Sequence, residues 1–123
     1  MKTFTLYRAT SAFFKTINSN KEQLNLHRER TFVRDDLTPS VDAIITMLKR
    51  GFLVRAATCI AENEEDMFKL TNSTTCAWTD NKEVNVLDDS AFLSSTSVGD
   101  IFKDESGQFF IVANYSMEKI SLP

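Results

Sequence analysis

Polar side chains able to bind a ligand concentrate between Asn63 and Asp100. The run Ser95-Thr96-Ser97-Val98-Gly99-Asp100 combines hydroxyls, a glycine and a carboxylate. If it opens a helix, its free backbone N–H groups could hold an anion or a polar ligand. In the structural account of the same residues, Ser97 and Asp100 cap that helix and Gly99 permits close packing. No Lys or Arg lies inside the run and the Gly-Lys-Ser/Thr ending is absent, so it is not a P-loop. Upstream, Thr71, Asn72, Trp78 and Asn81 offer a flat aromatic beside amide donors and acceptors, a set that suits a base, a sugar or a peptide. Alternatively, Trp78 covers the edge of the core and the amides brace a long loop. The candidate ligand- or partner-binding set is therefore Asn72, Trp78, Asn81, Ser97, Gly99 and Asp100.

Catalytic chemistry is less well supplied. His27 is the only histidine and sits in the charged stretch His27-Arg28-Glu29-Arg30, whose charges are expected to face solvent. A Cys–His pair would have to join it to Cys59 or Cys76 across the fold. The acids Glu62, Glu64, Glu65 and Asp66 lack the alternating spacing of a calcium loop, and favourable charge at a helix start explains them. Arg55, in an apolar run, requires either a carboxylate or ligand anion (Asp66 and Asp100 are the protein candidates) or an exposed face. No catalytic residue, metal site or cofactor follows from these patterns.

The elements that must position these groups read as one α+β domain over residues 1–123, with a mixed or antiparallel sheet. Thr3 to Arg8 alternates like a strand. Residues 9–36 admit either helix or extended structure: Ala12-Phe13-Phe14 and Lys21 to Arg30 favour helix, whereas Leu24 to Leu26 and Thr31 to Val33 favour strand. A helix over 39–50 is the clearest element. Thr38 can cap it, Pro39 suits its first position and Gly51 its end. Val41, Ile44, Ile45 and Leu48 form one apolar stripe to pack on the sheet, with Met47 near its edge. Phe52 to Ala61 reads as a central strand and 108–115 as another. Short helices are expected near 64–72, capped by Asn63, and near 97–102.

Composition sets the class. The chain has 123 residues, of which 42% are hydrophobic and 25% charged, and the 10 Phe residues are enough to dominate a core. Net charge is −3, distributed unevenly: residues 1–60 carry ten Lys/Arg against five Asp/Glu, and residues 61–123 carry four against twelve. A pI near 5.1 argues against a dedicated nucleic-acid binder. No stretch approaches the roughly 18 apolar residues of a membrane span, and no signal-peptide pattern follows Met1. Two cysteines without metal spacing fit a reduced cytoplasmic setting.

The second half also resembles a family of small uncharacterised proteins of phages and mobile elements. The matching residues are Glu65, Asp66 and Phe68, then Thr71 and Asn72, then Trp78 and Asn81, then Ser95, Ser97, Val98, Gly99 and Asp100. The likeness spans about residues 52–120. The family's Arg before the S-x-S-V-G-D box is Ser94 here, and its Gly-Phe-Glu ending is Ser116-Met117-Glu118. The resemblance implies a small cytoplasmic protein, in the host cytoplasm if phage-encoded, and implies no reaction. The expectation is an accessory protein that binds a host protein or a small polar ligand rather than an enzyme. The alternative is a small-molecule or nucleotide-binding protein using a Trp/Asn/Ser-lined pocket.

Overall fold

A computed structural model describes residues 1–31, 40–72, 77–93, 95–113 and 117–122. Six strands, β1 (Lys2–Ala9), β2 (Leu53–Ala61), β3 (Val84–Val86), β4 (Ile101–Lys103), β5 (Phe109–Val112) and β6 (Met117–Ile120), form one antiparallel sheet in the order β3-β2-β1-β4-β5-β6. Four helices, α1 (Ser11–Thr16), α2 (Lys21–Thr31), α3 (Val41–Lys49) and α4 (Glu64–Thr71), complete an α+β architecture. Among the described residues no helix is long and apolar enough to cross a membrane.

The sheet is covered on both faces. Tyr7, Ala9, Leu53, Ile101 and Ile111 point to one side and meet Phe13 of α1, Leu26 of α2 and Ala43, Ile44 and Met47 of α3. Phe4, Leu6, Ala57, Cys59, Phe102 and Phe110 point to the other and meet Met67 of α4 and Trp78. In β2 the odd-numbered residues change sides between Leu53 and Ala57. A bulge does this: Leu6 pairs with Ala57 but Tyr7 pairs with Arg55, leaving Ala56 as the extra residue. Arg55, opposite Tyr7, is exposed.

Local capping sets the helix starts. The Thr10 hydroxyl accepts from Phe13 N at 3.1 Å, and Asn20 Oδ1 accepts from Gln23 N at 3.1 Å. In α4, Asn63 Oδ1 accepts from Asp66 N at 2.9 Å while Asp66 Oδ2 accepts from Glu62 N at 3.0 Å, so the acidic start is a reciprocal cap. The helix expected over 39–50 begins at Val41 with Ser40 as its cap, accepting from Ala43 N at 3.2 Å. Thr38 and Pro39 lie outside the described residues. Its buried line is Ala43, Ile44 and Met47, with Leu48 packed against the core and Val41 and Ile45 half-buried. The stripe is thus turned from the one expected, and Met47 occupies its centre.

The short helix expected near 97–102 is not formed. Ser97 to Asp100 is a turn that feeds directly into β4. Asp100 Oδ2 accepts from Ser97 N at 2.8 Å and Asp100 N–H donates to Ser97 O at 3.1 Å, so the carboxylate closes a loop rather than a helix start. Pairing of Ile101 to Lys103 with β1 then holds the chain extended.

Candidate functional site

Arg8 lies on the apolar face of β1, two residues after Leu6 and four after Phe4. It is 2% exposed. A buried guanidinium requires partners for its fork of donors, and the surrounding elements supply several. Arg8 Nη2 donates to the Thr96 hydroxyl and Nη1 to Tyr7 O at 3.0 Å. Thr96 Oγ1 donates in turn to Thr71 Oγ1 at 2.6 Å, which donates to Met67 O at 2.9 Å. The Asn72 amide is spent on Thr96 O. Trp78 lies beneath the guanidinium, its ring centroid 5.6 Å from Arg8 Cζ. Thr71, Asn72, Trp78 and Thr96 thus converge on one cation.

A second buried arginine approaches from the opposite side. Arg30, also 2% exposed, belongs to the inward line Gln23, Leu26, His27 and Arg30 of α2. Its Nη1 donates to Gly99 O at 3.3 Å and to Asp100 Oδ1 at 3.4 Å. Asp100 Oδ2 lies 3.6 Å from Arg8 Nε, so one carboxylate bridges both guanidiniums. Gly99 makes this approach possible. Its φ is +91°, and a Cβ there would lie 2.6 Å from Arg30 O.

Among the described residues the cluster holds two cations against one anion. Burial lowers the pKa of Arg30, against the raising influence of Asp100. Arg30 Nη2 lies 3.1 Å from His27 Nδ1. Because arginine only donates, Nδ1 accepts, and His27 is the neutral imidazole protonated on Nε2. Burial, and then the adjacent Arg30 charge, lower the His27 pKa in agreement with this, while Asp100 acts in the other direction. The imidazole therefore adds no positive charge near neutral pH. Among the described residues, Arg8 Nε and Arg30 Nε are buried without a hydrogen-bond partner.

Arg8, Arg30, Asp100 and His27 line a partly open cleft of about 60 Å³, together with Phe14, Phe92, Ser97 and Val98. Phe14 packs on Phe92 at 4.9 Å and edge-on to His27 at 5.5 Å. Phe92 is 47% exposed. A larger open groove of about 570 Å³ lies among Thr10, Ser11, Gln23, Arg50, Phe52 and Asp89.

Of the residues expected to form a site, Ser97 and Asp100 line the cleft, and Gly99 abuts the Arg30 backbone. Trp78, expected on a loop surface, is instead a core residue at 2% exposure. Asn81 Nδ2 donates to Leu70 O at 3.0 Å, bracing the short 3-10 helix Trp78–Asp80 against α4. His27 and Arg30, expected in solvent, are half-buried and buried. Sequence reasoning overlooked Arg8 and Arg30. The signal for Arg8 was available, since the alternation Phe4, Leu6 continues onto it.

Cys59 is buried and free, its thiol pushed up to about 11, chiefly by burial. Among the described residues no group of three or more His, Cys, Asp or Glu is placed to hold a metal ion. No family model, curated protein or solved structure matches this chain.

Proposed function

We propose that the protein acts by binding rather than by catalysis, and that it recognises a partner or ligand through an anionic group held at Arg8 and Arg30. The single observation that carries this reading is the excess of buried positive charge among the described residues: two guanidiniums share one carboxylate beside a cleft. A buried charge without a counter-charge is unfavourable by several kcal/mol, roughly, and an incoming anion would offset that. The groups that could do covalent chemistry fit poorly. His27 is engaged by Arg30, and the Cys59 thiol is held in its protonated, unreactive form. The resemblance to small phage and mobile-element proteins supports an accessory role in a host cytoplasm, with a host protein or a small polar ligand as the bound species. Of the residues that carry that resemblance, Trp78 and Asp100 lie against Arg8, and Thr71 and Asn72 hold Thr96, to which Arg8 donates.

The second reading, a small-molecule binder, draws on the groove of about 570 Å³ near Thr10 and Arg50, a size within the usual range for ligand pockets. Thermal denaturation in sodium salts of different anions at fixed ionic strength tests the first reading. At least one anion should raise the melting temperature of the wild type, and Arg30→Met, if folded, should lose that response. A melting temperature indifferent to every anion would overturn it, and a response to neutral metabolites alone would favour the groove.

A further inference from the structure

We infer that the anionic group taken by the Arg8–Arg30 cleft is a carboxylate joined to an apolar, preferably aromatic, substituent; this rests on the binding reading above and specifies its ligand. Four observations converge. Among the described residues the charge deficit is one unit, because Asp100 already answers one guanidinium and His27 is neutral, so a monoanion completes the cluster. A phosphate dianion would overshoot it, with the Asp100 carboxylate lining the same cleft. The cleft is small, about 60 Å³, which suits a compact head group such as a carboxylate. Guanidinium donors are planar and suit a planar acceptor pair, and among the described residues the buried Nε–H of each arginine lacks a hydrogen bond, that of Arg8 lying 3.6 Å from Asp100 Oδ2.

The rim supplies the fourth observation. Phe14, Phe92 and Val98 line the cleft beside the charges. Phe92 leaves nearly half its surface in solvent although its ring already packs on Phe14. A ligand whose carboxylate enters between the arginines would lay the attached group against this exposed aromatic face. Such a ligand is either a free small organic acid or the last residue of a peptide with a free C-terminus, and the chemistry recognised is the same.

The test uses the intact protein and four small probes, with binding read by calorimetry and by the Nε–H resonances of Arg8 and Arg30. N-acetylphenylalanine should bind and shift both resonances, and its C-terminal amide should do neither. Acetate should bind more weakly than N-acetylphenylalanine by about tenfold. Inorganic phosphate should not compete. Phe92→Ala, an exposed position whose truncation spares the core, should erase the advantage of N-acetylphenylalanine over acetate. A short peptide ending in phenylalanine distinguishes the sources: binding equal to the free acid identifies a chain terminus, and rejection identifies small acids. Binding of phosphate with indifference to N-acetylphenylalanine would overturn the carboxylate assignment and leave the anion reading standing. Failure of all four probes to move either resonance would overturn both.

Discussion

Asp100 stands opposite Arg8, one residue beyond the last β1–β4 ladder pair, Tyr7 with Ile101. From that position its carboxylate lies 3.6 Å from Arg8 Nε and 3.4 Å from Arg30 Nη1. The sheet register therefore sets the Arg8 side of the bridge, and the crossing of α2 past Gly99 sets the Arg30 side. The two sides are unequal in charge, and that inequality has measurable consequences.

Removing the shared carboxylate should be worse than removing one of its partners. Asp100→Asn leaves two buried guanidiniums without their shared anion and should destabilise by about 3–5 kcal/mol. Arg8→Met leaves Arg30 and Asp100 as a neutral pair and should cost less, although it also gives up the bond to Thr96 and the face of Trp78. Urea denaturation of both variants checks the order, and the reverse order would contradict the charge argument.

Gly99 and Gly107 form an internal comparison. Both have positive φ, +91° and +93°, but only Gly99 faces a neighbour, with Arg30 O 2.6 Å from where a Cβ would be. Gly107→Ala should cost about 1–2 kcal/mol from backbone conformation alone. Gly99→Ala should cost more and should also loosen Arg30, visible as a changed Arg30 Nε–H resonance. Equal losses would mean that α2 moves aside freely.

The His27 environment makes stability depend on pH in a defined direction. Its pKa in the folded protein lies below the ordinary 6.5, mainly through burial and then Arg30. As pH falls through 6.5 the unfolded chain takes up a proton that the folded chain refuses, so stability falls until the native imidazole also protonates. Denaturation midpoints at pH 7.5 and about pH 5.5 should therefore differ more for the wild type than for His27→Gln. An identical difference would remove His27 from the cluster.

Trp78→Ala should behave as a core truncation and cost about 3–5 kcal/mol, because the ring is buried and supports Arg8. A loss below about 1 kcal/mol would show that this layer collapses readily around the missing ring.

The Cys59 thiol, buried and pushed up to about 11, should resist alkylation in the native protein at pH 8 and react only on unfolding. Mass mapping of the Cys59 peptide before and after denaturant decides this.

How much of this was legible in the sequence follows from how each residue signals its environment. The α+β class, β1, β2, α3 and α4 were readable because apolar spacing and caps reported burial directly: Ile44 lies on a 3.6-residue stripe, and Asn63 precedes three acids. The helix α2 is ambiguous in the sequence because its inward side mixes Leu24 and Leu26 with Gln23, His27 and Arg30. Two leucines at i and i+2 fit a strand as readily as a helix, and the polar residues conceal the rest of the buried face. The segment Ser97 to Asp100 reads as a helix start in the sequence because a hydroxyl and a carboxylate three residues apart serve either geometry. The choice was made by pairing of Ile101 to Lys103 with β1, which is remote in sequence. The site was half legible for the same reason. Asp100, Ser97 and Gly99 stood out as a motif, but the arginines that give them meaning lie about 70 and 90 residues earlier.

The sheet order places β1 in the middle, with Tyr7 flanked by Arg55 on one side and Ile101 on the other. Its second neighbour is made only after most of the chain, so the centre of the sheet is closed by contacts of high sequence separation. Such topologies fold on the slow side of small domains, in roughly milliseconds to seconds. Until β4 arrives, one edge of β1 remains an open hydrogen-bonding template next to Phe4 and Leu6, the kind of edge at which chains associate. The same delay leaves Arg8 without Asp100. A nascent or truncated chain therefore gains little by burying that arginine early, and premature packing of this face is disfavoured by the charge that later completes it.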